Sequence, residues 1–313
     1  MKPEVLSLGN FPEATMQELD RCFALQHFFD YALPPAGLQT DVAARIRAIA
    51  TEANRGANRA LIGMLPKLEI ISAFGVGVDA IDLVAARERN IPVTNTPGIL
   101  ADEVADLAIG LMLASARQIP LADRFVREGK WAKGPIALAR SVGKKTIGVV
   151  GLGGIGRAIA DRGAAFRMHV LYHGPRPKPD APYAYVSGLV ELARQSDYLM
   201  VACKGGPATR HLVSAEVMRA LGPEGTLINV ARGSVVDEAA LVEALTQKRL
   251  GFAALDVFEN EPHVPAELLA LPNVIVQPHH GSATTQTRTA MGQLMIDNIS
   301  AHFAGRPLLT PLG

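Results

Sequence analysis

The segment around residue 150 constrains the fold of this chain more than any other part of the sequence. A run of β-branched and apolar residues, Thr146–Val150, leads directly into a glycine-rich turn, and a helical pattern follows over Arg157–Phe166. The turn has the spacing Gly-x-Gly-x-x-Gly, with Gly151, Gly153 and Gly156. Between a strand and a helix this spacing predicts a βαβ unit whose turn holds a dinucleotide.

Each glycine of this turn has its own physical role. Gly151 permits the tight turn, Gly153 lets a pyrophosphate approach the backbone, and Gly156 lets the helix pack against the strand. The amides at the start of the helix, including those of Gly154 and Ile155, then face the phosphates. The alternative is a turn that serves chain geometry alone, and the strand–turn–helix context argues against it.

Short apolar runs alternate with helical patterns from end to end, which is typical of parallel α/β construction. Strands are predicted at Val5–Leu8, Arg47–Thr51, Ile70–Ala73, Pro92–Thr94, Lys145–Val150, Met168–Tyr172, Tyr198–Cys203, Thr226–Val230, Phe252–Asp256 and Val274–Gln277. Other helices are predicted at Glu13–Cys22, Asp41–Ile46, Ala80–Arg89, Ala101–Arg117 and Gln286–Phe303.

These elements fall into two series, and 313 residues suit two domains rather than one. Each series has a glycine-rich turn after a strand, the first being Phe74–Asp79. The last helix most simply packs back on the first domain. We therefore predict two Rossmann/flavodoxin-like parallel-sheet domains, residues 1–97 plus 286–313 for substrate and 98–285 for the dinucleotide. The active site is expected in the cleft between them.

Composition narrows the class of protein. Hydrophobic residues make up 49% of the chain, enough for two cores, and the formal net charge of +1 argues against nucleic-acid and membrane-surface partners. Cys22 and Cys203 have no metal-like spacing, so a reducing cytoplasm is expected rather than a disulfide framework. The amino terminus has no signal-peptide pattern, and the apolar stretch Val104–Ala116 is too short for a bilayer.

The residues after the second strand of the dinucleotide series bear on the choice of cofactor. NAD enzymes usually place Asp or Glu there for the ribose 2′-hydroxyl. Here Tyr172-His173-Gly174-Pro175-Arg176-Pro177-Lys178 contains no carboxylate before Asp180. Arg176 can grip a 2′-phosphate bidentately and Lys178 adds charge, which favours NADPH over NADH. The alternative is a solvated basic loop with relaxed cofactor choice.

Three charged or titratable residues follow later strands, where ligands bind in open α/β sheets. They lie in Asn229-Val230-Ala231-Arg232-Gly233, in Asp256-Val257-Phe258-Glu259-Asn260-Glu261-Pro262 and in Pro278-His279-His280-Gly281-Ser282. Reduction of a 2-keto acid needs a cation for the carboxylate and carbonyl, a proton donor, and a neighbour that orients the donor. Arg232, His279 and Glu261 fit those roles. Taken singly, each residue has another explanation. Arg232 could be a surface ion-pair partner, and Glu261 could merely end a turn. His279 could be half of a metal-like His pair, although further ligands are lacking.

In their order, these motifs resemble the D-isomer-specific 2-hydroxyacid dehydrogenase family, and the resemblance covers almost the whole chain. It implies catalytic roles for Arg232, Glu261 and His279, D-product formation and a homodimer. It also implies that backbone amides of Val76 and Gly77 hold the substrate carboxylate, in keeping with an anion cradle ahead of a helix. Further cofactor contacts are expected from His173, Cys203, Thr209, Val230, Asp256, Gly281 and Ser282. Asp256 could instead be a buried cap for backbone amides, and the role of His280 is open.

Within the family, Arg127–Trp131, Ala301–Pro311 and the basic loop resemble glyoxylate/hydroxypyruvate and hydroxyphenylpyruvate reductases. Trp131, the one tryptophan, is expected to anchor a dimer. The alternative implied by the resemblance is that a side chain of this region reaches the active site of a neighbouring subunit. Cys203–Pro207 departs from the family's usual Pro-Leu-Thr-Pro run, which leaves the role of Lys204 open. The expected reaction is NADPH-dependent reduction of a small 2-keto acid. Alternatives are a bulkier substrate such as hydroxyphenylpyruvate, or a nucleotide-sensing corepressor-like scaffold.

Overall fold

The computed structural model describes residues 2–28, 38–52 and 54–312. The chain forms two compact units, one of Met1–Leu100 with Ser282–Gly313 and the other of Ala101–Gly281. Within the described residues, the strands are β1 (Glu4–Leu8), β2 (Ala24–His27), β3 (Ala48–Glu52), β4 (Ile70–Phe74), β5 (Val93–Thr94), β6 (Thr146–Val150), β7 (His169–His173), β8 (Ala184–Tyr185), β9 (Tyr198–Val201), β10 (Thr226–Asn229), β11 (Phe252–Leu255) and β12 (Val274–Val276).

Helices connect these strands in both units. They are α1 (Glu13–Cys22), α2 (Thr40–Ala43), α3 (Arg59–Met64), α4 (Leu83–Glu88), α5 (Ala101–Ala116), α6 (Ile119–Arg127), α7 (Gly154–Ala165), α8 (Leu189–Gln195), α9 (Ala215–Leu221), α10 (Glu238–Thr246), α11 (Ala266–Ala270) and α12 (Thr285–Phe303). Short 3₁₀ turns occupy Lys130–Lys133, Pro207–Thr209 and Gly233–Val235.

The first unit is built on a five-stranded parallel sheet in the order β2-β1-β3-β4-β5. Its interior strand β4 is buried along its whole length, as expected for a parallel strand covered on both faces. The helix α12 packs on β4 and on α1, so this unit is discontinuous in sequence. The side chains of Asn58, Asp82 and Thr284 accept hydrogen bonds from first-turn amides and so begin α3, α4 and α12.

The second unit is built on a seven-stranded parallel sheet in the order β12-β11-β10-β9-β6-β7-β8. The chain leaves β6 toward β7 on one side and later places β9 on the other, so the strand order reverses at β6. In open α/β sheets a ligand crevice lies outside the carboxyl ends of the strands at such a reversal. The predicted dinucleotide turn follows β6 at this point.

The predicted fold class, two parallel-sheet α/β domains, is confirmed. The interior strands were predicted to within one or two residues, because each is a short buried apolar run. The edge strands β2 and β8 were missed, since β2 is only half-buried and β8 has two residues. The predicted helix Ala80–Arg89 begins only at Leu83, because Asp82 is its cap.

A helix that spans a membrane must be both long and hydrophobic. Among the described residues no single helix meets both requirements; α5 and α6 do so only when joined across a 57° bend.

Candidate active site

The dinucleotide turn of the second unit has a backbone that only glycine fits at two positions. Gly151 has a φ of +93°, and a Cβ at this position would lie 2.6 Å from the Cα of Cys203. A Cβ at Gly156 would lie 1.9 Å from the carbonyl oxygen of Gly151, so a side chain here would separate α7 from β6. A Cβ at Gly153 would meet no atom within 4 Å, so the backbone there faces open space.

These observations fit a pyrophosphate at the turn. No side chain in the described part of the chain caps the first turn of α7, so the amides of Gly154 and Ile155 remain available as donors. Cys203 follows β9 and lies against Gly151. Burial raises the pKa of the Cys203 thiol to about 11, so this side chain is a neutral wall of the turn rather than a nucleophile.

The basic loop after β7 is held by its own unit. The hydroxyl of buried Tyr172 accepts a hydrogen bond from the amide of Lys178 at 2.7 Å. Arg157, on α7, pairs with Asp180, the carboxylate within the loop, at 2.6 Å. Within the described residues Arg176 and Lys178 form no ion pair, and both side chains are exposed. Asp180, the carboxylate within the loop, is thus neutralised, which suits the binding of a phosphate.

The ring of His173, a predicted cofactor contact, has partners within its own unit. Its Nδ1 lies 3.0 Å from the carbonyl oxygen of Val186, and its ring stacks on Tyr185 with centroids 6.5 Å apart. Thr209 likewise donates its hydroxyl to the carbonyl oxygen of Lys204 at 2.8 Å. Both side chains therefore order loops beside the turn, and their contact with a cofactor stays a prediction.

Glu261 and His279, which are 18 residues apart in sequence, meet at the carboxyl edge of the second sheet. His279 Nδ1 donates to Glu261 Oε2 at 2.7 Å, and Glu261 Oε1 accepts from the amide of Phe258 at 3.1 Å. Burial by itself raises the pKa of Glu261. The hydrogen bond and charge of His279, with smaller effects of the Phe258 amide and of Arg232, outweigh it and lower the pKa below its usual value. Glu261 is therefore an anion that orients the imidazole, leaving Nε2 to face a substrate.

Arg232 follows β10, in a turn that the neighbouring motif residues organise. Asn229 Oδ1 accepts from the amide of Ala231 at 3.0 Å, and Asn229 Nδ2 donates to the carbonyl of Arg232 at 3.0 Å. A Cβ at Gly233 would lie 1.9 Å from the carbonyl carbon of Phe258, so only glycine lets this turn approach the segment that carries Glu261. The electrostatic effect of Arg232 on Glu261 agrees with this proximity.

Asp256 holds the loop that carries His279. Its Oδ1 accepts from the amide of His280 at 2.6 Å and its Oδ2 from the amide of Gly281 at 2.9 Å. His279 has a φ of +54°, a left-handed conformation that costs a non-glycine residue about 1–2 kcal/mol. Burial raises the pKa of Asp256, and the two amides partly offset the effect. The capping role is thus observed, and a nicotinamide contact stays a prediction.

The remaining predicted residues have simpler surroundings. Val230 is buried directly after β10, and the side chain of His280 is exposed. Ser282 belongs to the first unit, at the start of its returning segment. The described residues contain no cluster of His, Cys, Asp or Glu suited to a metal ion.

The predicted carboxylate cradle lies in the first unit, after β4. Thr96 Oγ1 accepts from the amide of Gly75 at 3.0 Å, and Asn95 Nδ2 donates to the carbonyl oxygen of Val76 at 2.8 Å. These two buried side chains fix the turn, which leaves the amides of Val76 and Gly77 without an acceptor in the described residues. Such amides fit a carboxylate. Asn229, Gly233, Asn95 and Thr96 were not singled out from sequence, although the first two are part of the Asn-x-x-Arg-Gly motif.

Comparisons with known proteins agree with this geometry. Residues 109–281 match the family model described as D-isomer specific 2-hydroxyacid dehydrogenase, NAD binding domain. The chain is 49% identical over 300 residues to hydroxyphenylpyruvate reductase of Plectranthus scutellarioides, covering 95% of this chain and 94% of that protein. It is also 49% identical over 295 residues to glyoxylate/hydroxypyruvate reductase A of Arabidopsis thaliana, with 94% of each chain covered.

A solved structure is similar over the full length. The chain matches an NADPH-dependent glyoxylate/hydroxypyruvate reductase of Sinorhizobium meliloti, solved in complex with NADP and malonate, with a TM-score of 0.94 and 41% identity. The match covers 100% of this chain and 97% of that one.

Proposed function

The chain belongs to the D-isomer-specific 2-hydroxyacid dehydrogenase family, and we propose that it reduces a small 2-keto acid of the glyoxylate/hydroxypyruvate type to the D-2-hydroxy acid with NADPH. The observation that carries the proposal is the hydrogen bond between partly buried, ionised Glu261 and His279, with Arg232 close enough to stabilise that anion. This arrangement supplies a proton donor and a cation together, which is the minimum for carbonyl reduction.

In the proposed reaction the amides of Val76 and Gly77 bind the substrate carboxylate. Arg232 holds the carboxylate and the 2-keto oxygen, so that negative charge growing on this oxygen is stabilised. His279 gives its Nε2 proton to the oxygen, and Glu261 stabilises the imidazole while it is charged. NADPH, when bound at the Gly151–Gly156 turn, supplies the hydride. The Glu261 carboxylate accepts a hydrogen bond throughout and does not itself need to change protonation.

Turnover distinguishes this proposal from a cofactor-sensing scaffold. Purified protein is incubated with NADPH and glyoxylate or hydroxypyruvate, and NADPH oxidation is followed by absorbance at saturating substrate. Steady turnover of either acid, with D-glycerate as the product from hydroxypyruvate, supports a reductase; NADPH binding without turnover of any keto acid supports a scaffold. A relative at 49% identity is named hydroxyphenylpyruvate reductase, so 4-hydroxyphenylpyruvate belongs in the same panel as the bulkier alternative.

For the cofactor we expect kcat/KM with NADPH to exceed that with NADH by roughly tenfold or more, as one charge-assisted hydrogen bond would produce. Arg176 and Lys178 supply that charge in the proposal, so Arg176→Ala should raise the Kd for NADPH, measured by nicotinamide fluorescence, and leave the Kd for NADH unchanged. Lys67→Ala, an exposed cation of the first unit, is the control. Equal values for the two cofactors in the parent protein would contradict the NADPH assignment.

We also propose that the protein is a homodimer. The helix α6 has no buried residue, and it exposes Ile119, Leu121 and Val126. Further along the same segment, Trp131 is 68% exposed and Leu138 is 97% exposed. Several large apolar side chains exposed along one segment of the chain suit association with a second copy. The location proposed is the cytoplasm, because both cysteines are free thiols.

Size-exclusion chromatography with light scattering tests the dimer. We expect the parent protein to elute at twice the chain mass and a Val126→Glu, Trp131→Glu variant to elute as a monomer, since two charges would be buried unpaired. Leu269→Glu, on an equally exposed leucine of α11, should stay dimeric. A monomeric parent would contradict the proposal.

A further inference from the structure

A short segment after α12, residues 309–312, pairs with the edge of the first sheet. β5 is the last strand in the order of that sheet, and Thr94 of β5 forms an antiparallel bridge with Pro311. The amide of Leu312 donates to the carbonyl oxygen of Val93 at 2.8 Å. The 309–312 segment therefore lies along β5 and borders the residues that follow this strand.

Asn298, on α12, fixes the 309–312 segment. It is fully buried, and both polar atoms of its side chain have partners. Oδ1 accepts from the amides of Leu309 and Thr310 at 3.0 and 3.1 Å, while Nδ2 donates to the carbonyl oxygen of Leu294 and to Thr310 Oγ1, both at 2.9 Å. A buried amide whose hydrogen bonds are all satisfied holds its partners in one geometry. The backbone and the hydroxyl of Thr310 are thus held by the helix.

The hydroxyl of Thr310 connects α12 to the residues that shape the carboxylate cradle. Thr310 Oγ1 donates to the carbonyl oxygen of Asn95 at 2.6 Å, and the carbonyl oxygen of Thr310 accepts from the amide of Asn95 at 3.4 Å. Asn95, which is 7% exposed, donates from Nδ2 to the carbonyl oxygen of Val76 at 2.8 Å. A continuous path of hydrogen bonds therefore runs from Asn298 through Thr310 and Asn95 to the cradle.

Each of the two cradle amides belongs to a peptide group whose carbonyl is held at the end of β5. The carbonyl oxygen of Val76 shares a planar peptide with the amide of Gly77, and the carbonyl oxygen of Gly75 shares one with the amide of Val76. The first oxygen accepts from Asn95 Nδ2 at 2.8 Å, and the second from the amide of Thr96 at 2.9 Å. Because the N–H and C=O of a trans peptide point in opposite directions, these two bonds fix the direction of both cradle amides.

We propose that Thr310 is a positioning residue for the keto acid. Its hydroxyl, held by Asn298, sets the place of Asn95 and through it the direction of the amides that bind the substrate carboxylate. The inference rests on the proposed function. A carboxylate keeps its charge and its hydrogen bonds while the neighbouring carbonyl is reduced, so a misplaced cradle weakens binding of the substrate and of the transition state alike. Loss of the Thr310 hydroxyl should therefore raise KM and leave kcat nearly unchanged.

Steady-state kinetics with saturating NADPH test the assignment. We expect Thr310→Val, which keeps the shape and removes the hydroxyl, to raise KM for glyoxylate by about three- to tenfold, as the weakening of one or two hydrogen bonds would produce. Both kcat and the Kd for NADPH should stay within about twofold of the parent values. Thr310→Ser, which restores the hydroxyl, should return KM to the parent value. A role in stability alone would instead lower the active fraction, and thus kcat, at an unchanged KM.

A double-mutant cycle tests whether Thr310 acts through Asn95. Asn95→Ala removes the donor to Val76 and should raise KM at least as much as Thr310→Val does. In the Asn95→Ala background, Thr310→Val should change KM by less than about twofold, because the side chain that it positions is absent. Fully additive effects of the two substitutions would contradict the proposed route.

The control is Thr289→Val, on α12, because the hydroxyl of exposed Thr289 donates to the carbonyl oxygen of Thr285 within the helix. It should leave KM unchanged. An unchanged KM in Thr310→Val, or a loss of kcat alone, would overturn the inference.

Hydrogen–deuterium exchange separates this inference from the proposed function. If the parent protein turns over neither acid, the proposed function fails by itself. Peptides covering residues 74–79 and 93–98 should still exchange faster in Thr310→Val than in the parent protein or in Thr289→Val, because the bonds that hold the cradle are loosened. Equal exchange in all three proteins would show that Thr310 does not hold the cradle.

Discussion

Replacement of His279 by alanine is expected to lower kcat for glyoxylate reduction by about 10²- to 10⁴-fold, the range associated with a positioned general acid. The reason is geometric: Nδ1 is engaged by Glu261 at 2.7 Å, so Nε2 is the ring atom left to protonate the substrate oxygen. NADPH binding should persist, because the Gly151–Gly156 turn owes its conformation to glycines and to β6. Stopped-flow reduction and nicotinamide fluorescence measure the two properties separately.

His280 offers a matched control for this experiment. It is adjacent to His279, its side chain is exposed, and it contributes its backbone amide, not its imidazole, to Asp256. His280→Ala should therefore keep nearly the parent kcat. If His279→Ala stays fully active, or if both variants lose activity to the same extent, His279 is not the proton donor.

Replacement of Arg232 by lysine is expected to lower kcat/KM by about 10²- to 10³-fold, comparable with the loss of one preorganised donor to a developing oxyanion. A lysine ammonium keeps the charge but cannot bind a carboxylate and the keto oxygen through one planar fork. The Arg232 turn is independently held by Asn229 and by the contact of Gly233 with Phe258, so the loss should not come from unfolding. Thermal unfolding with and without NADPH checks this.

Arg210→Lys is the control variant for Arg232→Lys. Arg210 is a more exposed arginine of the same unit, paired with Glu259 at 2.6 Å. The Arg210 side chain is 58% exposed, and an ion pair on so exposed an arginine contributes little to stability, so lysine should be tolerated there. Unchanged kcat and KM in Arg232→Lys would remove Arg232 from the proposed site.

Much of the fold followed from short-range patterns. The buried strands are continuous apolar runs, and the turn after β6 needs glycine because Gly156 meets the Gly151 carbonyl across a single turn. The family resemblance, drawn from ordered motifs, is confirmed by the match over residues 109–281. The edge strands β2 and β8 could not be predicted, because their own residues are not hydrophobic enough to indicate a strand. Their pairing with β1 and β7 stabilises them instead.

Some features of the candidate site were likewise predictable from the sequence, and others were not. The sequence alone determined that Arg232, Glu261 and His279 each follow a strand, because strand ends and turns are encoded by neighbouring residues. Only the tertiary structure decided that Glu261 Oε2 reaches His279 Nδ1, that Gly233 admits the backbone of Phe258, and that Asp256 binds the amides after His279. Those contacts depend on the order of strands in the sheet and on the close packing of loops distant in sequence.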